Sequence, residues 1–415
     1  MPFLTQHFMK ALSRFFKKFL PITAFAVVAA FAAGPLPAQQ PQRNIVVDIP
    51  YASDAISVSV SATTAELDNL AKIAFDSHGR FRRVAANQSH DIRFTPVGAS
   101  EVQVSVTRAG SGAAVLSQTV SGSSQRNALL AAADLAVKAT TGLNGYFTSR
   151  LAFVRESGGK HEIYTSDLFA GEIRQMTHDN SLALTPRWSP DGSRIVYTGY
   201  YRMGSPEIFQ IDLRTMQRTR LVGLRGTNTG ARFSPDGSRM AMVLSGEGNP
   251  EIYVSDAQAR GIRRITRMPS VEASPCFSPD GSKIIFASDV AGGLKLFTMP
   301  VGGGSASRVP TDISRYCAEP DWSAADPNKI AFTVAQNRGF QVAVFDLKTS
   351  QAKVVSRAPM DAIEPSWLPD GRHLVYTQRS ANQRELRILD TETGRSTRVS
   401  LPALGQCSQA SVWRP

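Results

Sequence analysis

Four aspartates recur in one setting along this chain: Asp191, Asp236, Asp280 and Asp370, each between a proline and a glycine. Repeated acidic loops are an arrangement that could carry a series of calcium ions. Each of these aspartates stands alone in its turn, however. An aspartate that bonds backbone amides ahead of it in a Pro-Asp-Gly turn needs no metal to explain it. The histidines are six, His7, His78, His90, His161, His178 and His373, and they also stand singly. No His-x-x-x-His pair, no Gly-x-Ser-x-Gly elbow and no phosphate-binding glycine loop occurs. Gly302-Gly303-Gly304 reads as a flexible turn. Glu319 and Glu364 each precede a proline, with an aromatic residue two positions beyond it. The X-Pro step predicts extended backbone at both, so they should project outward from preordered loops. Nothing sets a nucleophile beside a base. The sequence predicts a non-enzyme with no catalytic residue, no cofactor and no metal.

The elements that carry these residues are read from six phrases ending in Trp188, Phe233, Phe277, Trp322, Trp367 and Trp413, at spacings of 45, 44, 45, 45 and 46. Four of them run into the same turn, Ser189-Pro190-Asp191-Gly192 and its counterparts at Ser234, Ser278 and Leu368. Short strands at a period of 40–45 residues are the signature of propeller blades. One repeat shows the logic. Ala231 to Ser234 forms an inner strand, and Pro235-Asp236-Gly237 reverses the chain. Met240 to Leu244 is a second strand, apolar on both faces because neighbouring blades cover it, and Glu251 to Asp256 is the third. Gly261 to Thr266 supplies a more polar outer edge. Second strands begin near Leu151, Ile195, Met240, Ile284, Ile330 and Leu374, which makes six. The stretch from Leu151 to Met176 has no inner strand, and Ser411 to Arg414 is an inner strand with nothing after it. The two gaps close if the C-terminal strand completes the first blade, which also removes two open edges. The predicted fold is therefore mainly β: a six-bladed β-propeller closed by its C-terminal strand. The fifth turn, Ser323 to Asn328, reads as a longer loop inside an intact blade.

Residues 1–38 read as a secretory signal. Lys10, Arg14, Lys17 and Lys18 precede an apolar run, Phe19 to Ala33, that is short for a bilayer span, and Leu36-Pro37-Ala38 suits cleavage. The chain is thus expected to be exported and soluble. Net charge is +12, and the signal's four cations leave +8 on the rest, scattered along blade edges with no run of four or more. That pattern, in an exported chain, argues for a solvated basic surface and against nucleic acid. Cys276, Cys317 and Cys407 lack metal spacing. Cys317 and Cys407 fall before inner strands on one face of the disc, two blades apart, a long span for a disulfide.

Residues 39–147 follow another pattern. Asn44 to Ile49 and Ile56 to Val60 alternate as strands, and Thr63-x-x-Glu66 reads as a capping box opening a helix with Leu67, Leu70, Ala71 and Ala74 on one stripe. Four further strands and a second helix, from about Ser124 to Thr140 and ended by Gly142, complete a small α/β domain. The propeller occupies 148–415.

The blade phrase, R/A-x-F/W-S-P-D-G-S-[KR]-[IL]-x-[FY] followed by E-I-[YF]-x-x-D, resembles the repeat of the TolB family. The junction from Asp134-Leu135-Ala136 through Leu143-Asn144-Gly145-Tyr146-Phe147-Thr148-Ser149-Arg150 to Val154 is similar to the join TolB proteins have before their first blade. Signal, α/β domain and six blades arrive in the same order, so the resemblance covers the whole mature chain. It departs in the shorter amino-terminal domain, whose first strand is followed by Pro50-Tyr51-Ala52-Ser53-Asp54. The resemblance implies a periplasmic component of a Tol-Pal envelope complex, which serves outer-membrane integrity and cell division. It implies that the propeller binds the peptidoglycan-associated lipoprotein Pal around its channel mouth. By motif position the Pal-facing residues would be Thr227, Asn228, Thr229, Glu272, Ser274, Arg315, Glu319, Asp361 and Glu364. It also implies that Asn44, Ile45, Val46, Val47, Asp48 and Ile49 engage TolA by β-strand addition. Two other readings compete. A gating propeller of a peptidase would need a hydrolase on a separate chain. A periplasmic glycan-binding propeller would need exposed aromatics at the mouth, where only Tyr316 is evident.

Overall fold

The computed structural model describes residues 54–200 and 205–414. The expected signal and the Asn44–Ile49 segment lie outside the described residues. Six four-stranded sheets follow one another as blades. The first three strands of the second blade are β9 (Ala183–Trp188), β10 (Arg194–Gly199) and β11 (Glu207–Asp212). Its outer strand, β12 (Arg218–Val222), is the polar edge. The remaining inner strands are β13 (Asn228–Phe233), β17 (Glu272–Phe277), β21 (Cys317–Trp322), β25 (Asp361–Trp367) and β29 (Gln406–Trp413). The expected closure is present: β29 pairs antiparallel with β6 (Arg150–Ser157), Cys407 opposite Arg155 and Trp413 opposite Arg150. Blade 1 is thus built from both ends of the propeller segment. Blade 5 is complete despite its longer turn, where Asp326 N donates to Ser323 Oγ (3.1 Å).

Each inner aromatic packs between blades. Trp188 sits with Ile195, Tyr197 and Phe209 against Ala152, Val154 and Ile163 of blade 1. Burial of side chains of this size contributes about 1.5–3 kcal/mol each, which holds neighbouring sheets together without a backbone ladder between them. In the turns, the Asp191, Asp236 and Asp280 carboxylates accept Ser193, Ser238 and Ser282 N–H (3.1 Å each). Hydroxyl bonds, first from Ser189, Ser234 and Ser278, hold their pKa values down to about 2. These aspartates are turn braces. The fourth, Asp370, follows Leu368 in place of the serine and bonds His373 instead.

The α/β domain is a five-stranded sheet covered by two helices, α1 (Ala65–Ser77) and α2 (Gln125–Thr141). β1 (Ile56–Ala62) lies parallel to both β2 (Phe81–Arg83) and β3 (His90–Gly98). β4 (Glu101–Arg108) and β5 (Ala114–Ser121) extend it antiparallel to one edge. The cap of α1 corrects the sequence expectation by one residue. Thr64, not Thr63, accepts Leu67 N (3.4 Å), and Asp68, not Glu66, reaches back to Ala62 N (3.0 Å). Thr63 instead donates to Phe94 O across the sheet (3.4 Å). α2 is capped by Ser124 and stopped by left-handed Gly142, as its sequence predicts. The domain shares one apolar core with blades 1 and 6 through Tyr146, Phe147, Phe169 and Leu386. Asp134 ties the linker by accepting Phe147 N (2.7 Å) and Thr148 N (3.1 Å), and burial lifts its pKa to about 6.

Candidate functional site: the propeller channel and its mouth

Each inner strand breaks register once, and one residue there turns left-handed: Thr185 (φ 51), Gly230 (φ 65), Ser274 (φ 52), Glu319 (φ 54), Glu364 (φ 58) and Gln409 (φ 57). These are β-bulges, in which one extra residue re-aims a side chain. The re-aimed side chains stitch blade to blade around the channel. Glu319 Oε2 accepts Glu364 N (2.9 Å) and the Thr333 hydroxyl (2.7 Å). Glu364 Oε2 accepts Gln409 N (3.0 Å) and the Thr377 hydroxyl (2.8 Å). Gln409 Oε1 accepts Thr185 N (2.8 Å), and Thr198 carries the chain on to Gly230 N (3.3 Å). A second tier lies two residues further along the strands. Asp321 Oδ2 accepts Trp367 N (2.7 Å), Ser366 Oγ accepts Val412 N (3.4 Å) and Ser411 Oγ accepts Trp188 N (3.4 Å).

The sequence expectation for Glu319 and Glu364 is corrected here. Neither has the extended backbone that an X-Pro step favours, because the bulge sets φ positive at both. Their carboxylates turn along the channel wall to the next blade, where a buried amide needs an acceptor. Burial, and then the neighbouring Glu364 charge, lifts the Glu319 carboxyl to about 7. Lower in the channel, Arg232 of blade 3 spans to Asp321 of blade 5 as an ion pair. Arg187 beside it donates to Pro186 O (3.0 Å), and burial together with the Arg232 charge lowers its pKa to about 10. Cys276 accepts Trp322 N (3.4 Å) through its sulfur, and burial pushes its thiol up. This is a wall that braces itself, with no activated nucleophile. All three cysteines are free and buried, so Cys317 and Cys407 do not pair.

The blades are meanders, so outer-to-inner connections and second-to-third connections leave by the same face. That face carries Leu224, Val290, Ile313, Met360 and Leu401, between 41% and 54% exposed. Each lies in one of these connections, and together they give that face an interrupted apolar rim. Sequence reading overlooked them. Their signal was available: single large apolar residues in loops otherwise rich in glycine, arginine and serine.

The residues singled out by motif position meet different fates. Arg315 is exposed on this face, and Thr227 and Thr229 are half-buried beside Leu224. Asn228 is 1% exposed and holds the Leu224 loop, accepting Leu224 N (3.1 Å) and donating to Leu224 O (2.7 Å) and Pro206 O (3.1 Å). Glu272 is fully buried, accepting Ser270 Oγ (2.5 Å) and Ser288 Oγ (2.9 Å). Burial, then contact with Glu251, lifts its pKa to about 8. Asp361 accepts Phe340 N (2.9 Å) and Arg379 Nε (2.8 Å). Ser274 is the bulge residue of its strand. Tyr316 stacks edge-on against Phe340, centroids 5.1 Å apart. Among the described residues one group could face a metal, His78, Asp370 and His373, whose ligand atoms lie within 4.8 Å of one another. It sits at the other face, under the α/β domain. No helix among the described residues is long and apolar enough to cross a membrane.

Comparison with known proteins gives a consistent picture. A family profile described as TolB beta propeller domain matches residues 137–415. A Tol-Pal system protein TolB from Desulfotalea psychrophila is 33% identical over 134 residues, 32% of this chain and 30% of that protein. Another, from Roseobacter denitrificans, is 37% identical over 99 residues, 23% of this chain and 22% of that one. The matched stretches thus span less than a third of these curated relatives. The crystal structure of TolB from Acinetobacter baumannii superposes with a TM-score of 0.78 at 24% identity, covering 86% of this chain and 96% of that chain. At that identity the likeness is one of fold.

Proposed function

The chain belongs to the TolB β-propeller family, and on that premise we propose that it is the protein-binding propeller of a Tol-Pal-type envelope assembly. It is exported, cleaved near Ala38, and works by binding and not by catalysis. Its propeller captures a Pal-like lipoprotein domain on the face that carries the outer-to-inner connections. The segment Asn44 to Ile49 adds as a strand to a TolA-like partner. One observation carries the capture reading: the exposed rim of Leu224, Val290, Ile313, Met360 and Leu401 on one face of the propeller. Large apolar side chains held at the edge of a preordered wall are what an interface core needs, since little order is lost on binding.

Within the motif-derived set, Thr227, Thr229, Arg315 and Asp361 are the contacts proposed for the partner. Asn228 and Glu272 shape the loops that present them. Ser274, Glu319 and Glu364 belong to the channel wall beneath, where an inserted partner segment would meet them. The test is a calorimetric titration of the mature protein against the cognate Pal-like domain. Leu224→Lys combined with Met360→Lys should weaken capture at least about tenfold, with circular dichroism unchanged because both side chains are exposed. Undiminished affinity in the folded double variant would move the binding site to another face.

A further inference from the structure

His78 closes α1, and His373 opens β26 (His373–Arg379) in blade 6. Both are fully buried, with rings 4.6 Å apart and edge-to-face. Hydrogen bonds fix the tautomer of each. Gly79 N donates to His373 Nε2 (3.4 Å), so the proton of that ring sits on Nδ1, which meets Asp370 Oδ2 (2.5 Å). Arg80 N donates to His78 Nδ1 (3.3 Å), so the His78 proton sits on Nε2, which is buried without a hydrogen-bond partner. Protonating either ring therefore turns an accepting nitrogen into a donor that faces a backbone N–H. The contact is also tight. A Cβ on Gly79 would come 1.6 Å from Asp390 Oδ2.

We propose that the His78–His373–Asp370 contact is a proton-operated latch that holds the α/β domain on blade 6 and lets go on acidification. Asp370 and Asp390 favour a charged ring, but burial and the neighbouring His373 outweigh them. From the blade 6 turn, Asp370 already accepts Arg372 N (3.1 Å) and His373 N (3.0 Å). Arg372 is cationic there and bonds Asp390 (2.9 and 2.7 Å) and Glu392 (2.5 Å). From the linker, Tyr146 stacks on His78 (5.4 Å), packs tilted against His373 (4.7 Å) and bonds Ser77 (3.0 Å). On the domain's own loop, Arg80 is cationic and pairs with Asp54. Burial, and then the neighbouring His373, holds the His78 pKa well below its ordinary 6.5. A group whose pKa is depressed on docking favours the docked form above its free value, and that preference is lost as pH falls. The docking equilibrium should fall about tenfold for each pH unit below 6.5 as His78 alone is charged.

A metal reading fits less well. A ligating His78 Nε2 would have to lose its proton, while Nδ1 is occupied by the Arg80 amide. The experiment follows hydrogen exchange of residues 78–83 and 370–373 in the mature chain between about pH 8 and about pH 5, corrected for intrinsic rates. Protection at these amides should be lost towards acid while the propeller's inner strands stay protected. His78→Phe combined with His373→Phe keeps both rings but neither titrating nitrogen, and its protection should be flat with pH. Gly79→Ala, which the Asp390 contact forbids, should show the released pattern at every pH and so supplies the reference. Wild-type protection that persists to about pH 5, or a loss shared by the double variant, overturns the latch. So does zinc at neutral pH that raises protection in the wild type and not in the variant, which would make the group a metal site.

Discussion

At the scale of single residues, half-buried Glu364 and fully buried Glu272 separate structure from binding. Glu364 accepts from Gln409 N and Thr377 Oγ1. Glu364→Ala leaves the buried Thr377 hydroxyl without its acceptor and Gln409 N with Thr377 Oγ1 alone (3.0 Å), which costs about 1–3 kcal/mol. The midpoint of a thermal melt should drop accordingly, so this residue is a poor probe of partner binding, unlike Leu224. Glu272 acts in the opposite sense. Its pKa is raised to about 8 by burial and by Glu251, so the folded state holds a proton that the unfolded chain, with an ordinary value of 4.5, releases. The stability this group contributes is present below 4.5 and is lost as pH rises through 8. Glu272→Gln keeps an acceptor for Ser270 and Ser288 and removes the charge. It should raise the melting temperature at about pH 8 and leave it nearly unchanged at about pH 5. A variant less stable at both would show that the ionised carboxylate is the favoured form.

The next scale is that of strands and helices. Deleting β29 by ending the chain at Ser400 opens the ring and exposes apolar faces of blades 1 and 6. The cooperative transition of the whole propeller should then disappear, and a truncated protein melting at the original temperature would contradict the closure. In α1, Thr64→Ala should cost about 1 kcal/mol as a lost cap, and Thr63→Ala should cost less, because its hydroxyl satisfies no amide of the helix terminus. Blade number, strand order and closure were all legible from the spacing of Trp188 through Trp413, because period-two patterning and turn chemistry are local signals. The bulges were not. A left-handed Glu319 before Pro320 runs against the local preference, and only the unpaired amide of the next blade explains it. The cap of α1 was misplaced for a like reason: two threonines compete, and the choice rests on what each meets across the sheet.

For the molecule as a whole, the two faces of the disc differ in kind. One bears the exposed apolar rim, and the other is covered in part by the α/β domain through Arg126–Asp167 and the Tyr146–Phe147 core. The rim was missed because it belongs to no periodic element. The latch was out of reach for another reason: His78 and His373 come from separate domains, and each alone is an unremarkable buried histidine. Family membership, by contrast, was legible from the repeat and the junction together.

The pairing of β6 with β29 also sets an order of events. Blade 1 is the first to be made, and it lacks its innermost strand until residue 413 has emerged from the ribosome and, in an exported protein, from the translocation channel. Until then its apolar inner edge has no native partner, and five later blades must stay open enough to let the last strand in. Contacts across more than half the sequence form slowly, because the loop they close is long. The ring that gives the mature protein its rigidity thus makes the nascent chain dependent on time and on protection from aggregation, and a pause late in synthesis should be more damaging than one early.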